Sequence, residues 1–248
     1  MVMQAWVVGG TSGIGAEIVE QLKQREIASL VISNDMAAGA QLKNRGVAFE
    51  YLDLAQTPGE VAHRTGDLLQ HYGHPIYVFM SAGLTRETTA LNTTPEDWGL
   101  LANVNLLGVV QLCNTVARAW RSVAFAPWKR HVVILGSVNA LRPLSSQGAY
   151  SVMKAGLHAY AKCLSNDVAD AAIRVNTVVP GAIWTPMNQS LLSLEDETEK
   201  RRVAESSLVG RWGLAEEIAE VALWVALDSP VFLTGAELVV DGGHVVKR

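Results

Sequence analysis

Apolar runs of four to six residues recur along the whole chain and predict β-strands. Several runs are nearly continuous Val, Ile and Leu, which is typical of strands that are covered on both faces. The predicted strands are Gln4 to Val8, Leu30 to Ser33, Val47 to Leu52, Ile76 to Met80, His131 to Leu135, Arg174 to Val179 and Glu237 to Val240.

Stretches with apolar residues at helical spacing lie between these runs. They include Gly13 to Arg25, Gly59 to His71, Pro95 to Trp120, Gly148 to Asp170 and Glu216 to Leu227. Alternating strands and helices are joined by right-handed crossovers and produce a parallel sheet. The sequence therefore predicts an α/β fold, a single doubly wound, Rossmann-like domain over residues 1–248 with a central seven-stranded parallel sheet and helices on both faces. The least regular region, residues 184–213, is expected to form a substrate flap.

The overall composition is that of a soluble globular protein. Of 248 residues, 49% are apolar and 18% are charged, and the formal net charge is −4. These values exclude a disordered or collagen-like chain, and no basic cluster is dense enough for a nucleic acid partner. Cys113 and Cys163 lie outside any CxxC motif or Cys/His cluster, so we expect no disulfide framework, no metal site and a reducing compartment.

The 20 residues from Trp98 to Ala117 carry no charge and have the length of a membrane span. Four amide side chains among them favour a helix buried in protein, so no membrane association is expected. The first predicted strand starts within four residues of Met1, which leaves no room for a signal peptide. We expect a cytoplasmic protein.

A glycine-rich turn follows the first predicted strand and has the spacing GxxxGxG, from Gly9 to Gly15. Gly9 allows a tight turn, Gly13 allows close approach of a pyrophosphate, and Gly15 allows the next helix to lie near the sheet. An ordinary strand-to-helix turn has a similar composition. Its place after the first strand favours a nucleotide site.

Tyr150 and Lys154 stand four residues apart near the start of a predicted helix, so they share one face. A nearby ammonium group favours the phenolate, and we expect Lys154 to lower the pKa of Tyr150. A surface Lys beside a half-buried Tyr would give the same spacing. Ser137 closes the fifth predicted strand, at the sheet edge where α/β folds bind ligands, and its hydroxyl is expected near the oxygen that Tyr150 protonates.

In combination, these motifs resemble the short-chain dehydrogenase/reductase family in its shorter form. The resemblance extends from Val7 to Gly243. It rests on the glycine turn, on Ser137 followed by Tyr150-x-x-x-Lys154, on Asn105 in VNLLG, on Pro180-Gly181 with Thr185, and on Leu233-Thr234-Gly235 with Val240 to Gly243.

The resemblance implies an NAD(P)-dependent oxidoreductase that acts on a ketone or secondary alcohol. Tyr150 would be the general acid or base and Ser137 would position the carbonyl oxygen. Lys154 would hold the nicotinamide ribose, and Asn105 would anchor a water in a proton relay. Val8 and the segment Met80 to Gly83 depart from the family pattern, which keeps open a catalytically weak dinucleotide-binding regulator or scaffold.

The resemblance also implies the residues that bind the dinucleotide. They are Gly9, Thr11, Ser12, Gly13, Ile14, Gly15, Ser33, Asn34, Asp35, Asp53, Leu54, Ala82, Gly83, Tyr150, Lys154, Pro180, Gly181, Ile183 and Thr185. Residues 33–40 contain no Lys or Arg, which favours NAD(H) over NADP(H), with Asp35 as a ribose ligand. Ser33 and Asn34 could equally hold a phosphate, and Asp53 could contact adenine or cap a turn.

A mainly apolar substrate pocket with a few amides is expected from Asn139, Leu144, Gln147, Trp184 and Met187, with Leu141, Leu191 and Leu192 nearby. Arg142 would meet an anionic group or remain solvated. Residues 129–131, Lys-Arg-His, resemble the basic patch with which 3-oxoacyl-carrier-protein reductases bind their carrier. A 3-oxoacyl thioester is therefore one substrate option, below a free small-molecule ketone or alcohol.

The helices that carry Asn105 and Tyr150 are apolar nearly all round. A helix covered only by its sheet should be amphipathic, so a second apolar face indicates a protein partner. We expect a homodimer or homotetramer.

Overall fold

The computed structural model describes residues 3–188 and 197–247. A seven-stranded parallel sheet forms its centre, which confirms the predicted fold class. Its strands are β1 Ala5–Val8, β2 Ser29–Ser33, β3 Ala48–Tyr51, β4 Tyr77–Met80, β5 His131–Leu135, β6 Arg174–Pro180 and β9 Glu237–Val240, and the short pair β7 Ile183–Trp184 and β8 Gly213–Leu214 lies apart. The strand order in the large sheet is β3-β2-β1-β4-β5-β6-β9, and each of its strands begins and ends within one residue of its predicted bounds.

Both faces of the central sheet are covered by apolar side chains. In β5, Val132 and Ile134 pack into the cluster on one face, whereas Val133 and Leu135 pack into the cluster on the other. All four are almost completely buried. Continuous apolar runs therefore arise because neither face of these strands meets water.

Helices connect the strands on both faces. They are α1 Gly13–Gln24, α2 Met36–Asn44, α3 Pro58–Tyr72, α4 Pro95–Ala102, α5 Gly108–Arg121 and α6 Gly148–Asp167, followed by Glu197–Glu205 and Ala215–Leu223. Helix α2 is absent from the sequence prediction because it carries only a weak apolar stripe. Its first turn is capped by Asp35, whose carboxylate accepts from Ala38 N at 2.9 Å.

The predicted long helix from Pro95 to Trp120 is interrupted by a π-helical turn at Asn103–Leu107. A second π turn, Trp224–Asp228, ends the predicted helix that begins near Glu216. Such turns change the hydrogen-bond step without disturbing the apolar pattern, so a periodicity argument does not detect them.

Residues Pro95–Arg121 form a helical segment that is long and apolar enough to cross a membrane. In the structure, α5 packs against α3, and its inward side chains, such as Leu112, Val116 and Trp120, are buried. One side of this segment therefore packs in the protein core, as expected for the buried helix that the amide content predicted.

The predicted flap is only partly irregular. Its described parts include β7, β8 and the helix Glu197–Glu205. Residues 189–196, with Leu191 and Leu192, lie outside the described residues.

Candidate active site

The glycine turn brings three backbone segments into contact at the carboxyl end of β1. Gly9 has φ +83°, and a Cβ there would lie 2.5 Å from Ala82 N. A Cβ on Gly15 would overlap the carbonyl of Gly9. Glycine is therefore required at both positions, and α1 begins directly against the strand ends, with its first N–H groups toward the space beyond them.

Ser81 braces this turn from the neighbouring strand. Its hydroxyl donates to Val8 O at 2.9 Å and lies 3.3 Å from Gly9 O. The departures from the family pattern at Val8 and Ser81 thus keep a polar connection between β1 and β4. Sequence reasoning missed this role, although a hydroxyl directly after a buried strand was the available signal.

A cavity of about 440 Å³ extends from the glycine turn across the carboxyl ends of β2 and β3. Among the described residues that line it, Asp35 and Asp53 carry negative charge and none is Lys or Arg. The Thr11 and Ser33 hydroxyls are hydrogen-bonded at 3.0 Å, and the Asn34 amide donates to Asp53 Oδ1 at 3.3 Å. Asn34 is thus already engaged by a carboxylate.

All the residues predicted to bind dinucleotide line this cavity or the adjoining one described next. The two cavities share five lining residues, which are Ile14, Ser81, Gly83, Thr185 and Met187. Because the two cavities adjoin, one end of the glycine-turn cavity lies beside the predicted catalytic residues.

The second cavity has a volume of about 530 Å³, and Ser137, Tyr150 and Lys154 all line it. Tyr150 and Lys154 share one face of α6, and Lys154 Nζ lies 5.7 Å from the centroid of the Tyr150 ring. Nζ also donates to Leu135 O at 2.9 Å, which ties the helix to the end of β5. The structure therefore brings together the three residues singled out from the sequence.

Burial controls the protonation of this group. It raises the pKa of Tyr150 to about 12, partly offset by the hydrogen bond with Ser137. It also lowers the pKa of Lys154 to about 8. The prediction that Lys154 lowers the pKa of Tyr150 is wrong for the protein chain by itself, because desolvation of the phenolate raises the pKa and the partial offset comes from Ser137.

Asn105 is completely buried and supports the chain beside the site. Its amide nitrogen donates to Leu84 O at 2.9 Å and Leu101 O at 3.1 Å, and its Oδ1 accepts from Leu84 N at 3.0 Å. Asn105 does not line either cavity. Its role in a water relay stays a prediction.

Four of the five predicted substrate residues line the second cavity, namely Asn139, Leu144, Gln147 and Met187. The Asn139 amide donates to Gln147 Oε1 at 2.6 Å, so these two side chains orient each other. Trp184 is not among the described residues that line this cavity, and its contact with substrate stays a prediction. Its ring packs edge-on against Trp212, with centroids 5.8 Å apart, and remains 49% exposed outside the cavity lining.

Comparisons with known proteins agree with this geometry over nearly the full chain. A family model described as enoyl-(acyl carrier protein) reductase matches residues 8–244. The chain belongs to the short-chain dehydrogenase/reductase family. It is 33% identical over 238 residues to carbonyl reductase family member 4 of Xenopus tropicalis, covering 96% of this chain and 95% of the relative.

A second relative of this short-chain dehydrogenase/reductase is a 3-oxoacyl-(acyl-carrier-protein) reductase of Pseudomonas aeruginosa. It is 33% identical over 246 residues and covers 96% of both chains. The solved structure of 4-hydroxyisoleucine dehydrogenase complexed with NADH superposes with a TM-score of 0.90 at 21% identity, covering 98% of this chain and 99% of that one. Membership of the family makes this chain an NAD(P)-dependent oxidoreductase with a nicotinamide cofactor and a small-molecule carbonyl substrate.

Two of the three residues of the predicted carrier-docking patch are buried in this short-chain dehydrogenase/reductase. Arg130 is buried, donates to Trp120 O at 2.7 Å and stacks on Phe125. His131 is fully buried and accepts from the Asn176 amide at 2.8 Å, and burial lowers its pKa to about 3. Both side chains serve the core, so of residues 129–131 only Lys129 is exposed.

Proposed function

We propose that this protein reduces a small ketone to a secondary alcohol, with Tyr150 as the proton donor. The observation that carries the proposal is the meeting of Ser137, Tyr150 and Lys154 in one cavity that adjoins the glycine-turn cavity. A carbonyl oxygen beside the Ser137 and Tyr150 hydroxyls would have its carbon toward the shared wall of the two cavities. Because the two cavities share lining residues, a dinucleotide in the first would lie next to a ketone in the second, and hydride transfer requires such proximity.

The protonation state of Tyr150 supports the reductive direction. With a pKa of about 12, the phenol keeps its proton at neutral pH and can donate it to the oxygen as negative charge develops there. Ser137 then stabilises the same oxygen through its hydroxyl. Oxidation of the alcohol requires the phenolate, which burial disfavours in the protein by itself.

The residues present fit a dinucleotide, and NAD(H) fits better than NADP(H). Close approach at the glycine turn and the first N–H groups of α1 suit a pyrophosphate. Asp35 and Asp53 would repel a 2′-phosphate, and no Lys or Arg among the described lining residues offsets them. Lys154 would hold the nicotinamide ribose, and the nicotinamide supplies the hydride when bound.

A free ketone is favoured over a carrier-bound 3-oxoacyl thioester. The P. aeruginosa relative is named for the carrier-bound substrate. In this chain, however, Arg130 and His131 are buried, which leaves only Lys129 of the three predicted docking residues at the surface. A 3-oxoacyl thioester carries the same ketone group, so thioesters belong in any substrate panel.

Assembly into a homodimer or homotetramer is supported by apolar side chains left at the surface. Leu107, the last residue of the π turn, is 40% exposed, and Val152 on α6 is 55% exposed. Both belong to the helical segments whose sequences are apolar nearly all round. Light scattering on purified protein would give the mass of a dimer or tetramer, and a monomer would contradict this assembly.

Turnover assays test the proposal directly. Ketones, 3-oxo acids and thioesters would be incubated with NADH or NADPH while absorbance of the reduced nicotinamide is followed. We expect oxidation of the dinucleotide with at least one ketone class. Tight dinucleotide binding without turnover across the panel would favour the regulator or scaffold instead.

A further inference from the structure

The second cavity, which Ser137 and Tyr150 line, is rich in basic side chains. Besides Lys154, four basic side chains line it, which are Arg142, Arg202, His244 and Lys247. No Asp or Glu is among the described residues that line it. The chain as a whole has 24 acidic residues and 20 Lys and Arg residues, so the cavity lining is basic in a protein whose net charge is negative.

Arg142 is held at the cavity by the turn that comprises residues 244–247. Its Nη1 donates to His244 O at 3.1 Å and lies 3.4 Å from Lys247 O. These neutral carbonyl groups orient the guanidinium. Within the described part of the chain, no carboxylate pairs with Arg142, and its Nε and Nη2 groups suit a bidentate oxygen ligand.

Lys247 is held in a similar way. Its Nζ donates to Glu205 O and, at 2.9 Å, to Ser207 O. Asp241 organises the turn that carries Lys247, because its carboxylate accepts from Gly243 N and Val245 N at 2.8 Å each. The fold therefore holds a second cation at the cavity by backbone contacts.

We propose that the substrate is a ketone that also carries an anionic group, and that Arg142 and Lys247 bind that group. This inference rests on the proposed function, because the ketone oxygen must lie at Ser137 and Tyr150. A neutral ligand would gain only ordinary hydrogen bonds from the two cations, whereas an anion would gain stronger, charge-assisted hydrogen bonds in a partly enclosed site. The anion is the carboxylate of a free oxo acid or a phosphate of a thioester conjugate.

Matched substrates test the inference without altering the protein. Free 3-oxo acids of four to eight carbons, their methyl esters and their coenzyme A thioesters share the same ketone. We expect kcat/KM for one anionic series to exceed that of the esters by about tenfold at low salt, and the ratio to shrink with ionic strength. The better anionic series identifies carboxylate or phosphate as the bound group.

Two charge-removing variants locate the anion site. In Arg142→Gln and Lys247→Gln we expect the anion-to-ester ratio of kcat/KM to fall by about tenfold. Lys23→Gln removes the same charge from the exposed face of α1 and should leave the ratio unchanged. Arg142→Lys keeps the charge and should retain part of the preference.

The outcomes separate this inference from the proposed function. Equal kcat/KM for esters and both anionic series in the wild type would overturn the anion preference while leaving a working ketone reductase. Equal losses of kcat/KM for the ester and the anion in both Gln variants would also overturn it, since the two cations would then only stabilise the turn that comprises residues 244–247. Absence of turnover with every ketone would instead overturn the proposed function.

Discussion

The backbone N–H of Ser137 donates a hydrogen bond to Nε2 of His158 at 3.3 Å. His158 lies one helical turn beyond Lys154 on α6, and a Cβ on Gly136 would overlap its ring. Its Nδ1 lies 3.5 Å from Glu237 Oε1 on β9, and Glu237 pairs with Lys162 at 2.5 Å. Burial lowers the pKa of His158, which favours the neutral ring that can accept from Ser137.

We expect His158→Leu to impair catalysis through the position of Ser137. The variant leaves the partly buried Ser137 N–H without its acceptor, which allows Ser137 to shift, so we expect kcat to fall by about tenfold while dinucleotide affinity stays nearly constant. His158→Gln offers an amide oxygen as acceptor and should recover most of the loss. Equal kcat in His158→Leu and wild type would contradict a role of His158 in positioning Ser137.

Ser81→Ala should weaken dinucleotide binding. The variant loses the hydroxyl that donates to Val8 O and lies near Gly9 O, and one such bond contributes about 1 kcal/mol. We expect Kd for the dinucleotide, measured by calorimetry, to rise by about fivefold. Ser122→Ala removes an exposed serine hydroxyl bonded to Ala119 O and is the matched control. An unchanged Kd in Ser81→Ala would contradict the bracing role.

Cofactor choice should depend on the charge of Asp35. We expect a KM for NADH about tenfold below that for NADPH, because a carboxylate repels a 2′-phosphate. Asp35→Asn keeps an N-cap residue for α2 and removes the charge, so the NADPH preference should rise without loss of stability. Steady-state kinetics with both cofactors would measure the change. A variant with the wild-type KM ratio would show that Asp35 does not select the cofactor.

Lys154 should make stability depend on pH in the alkaline range. Burial lowers its pKa from 10.5 to about 8, so between these values the unfolded chain binds more protons and stability rises with pH. Lys154→Met lacks this contribution. The free energy of unfolding of the variant minus that of wild type should therefore fall from pH 7 to pH 10 in urea titrations. A pH-independent difference would contradict the shifted pKa.

The central sheet could be predicted from the sequence because its strands are buried on both faces and read as continuous apolar runs. Helix α2 could not, since only Gly39 among its residues is buried and its apolar stripe is weak. Gly39 itself is explained by Phe49, whose ring would overlap a Cβ there. Local pattern is informative where burial is strong and regular.

Site residues were predictable where a motif fixes their position on one helix face or strand end, as with Tyr150, Lys154 and Ser137. The surroundings of Arg130 and Trp184 could not be predicted because they depend on tertiary packing. Arg130 packs against Phe125 and bonds to Trp120 O, whereas Trp184 packs against Trp212. The prediction for the pKa of Tyr150 failed because it considered only the neighbouring Lys154. Desolvation is set by the whole packed site and cannot be read from a four-residue spacing.

The central claim is that the Tyr150 phenol donates the proton during ketone reduction, and Tyr150→Phe tests it most directly. The variant would be assayed for ketone-dependent oxidation of reduced nicotinamide and, in parallel, for dinucleotide binding by fluorescence. The account predicts a loss of kcat of about 10²-fold or more, because general acid catalysis contributes about that much, with dinucleotide affinity largely kept. Activity within a few-fold of wild type would contradict it.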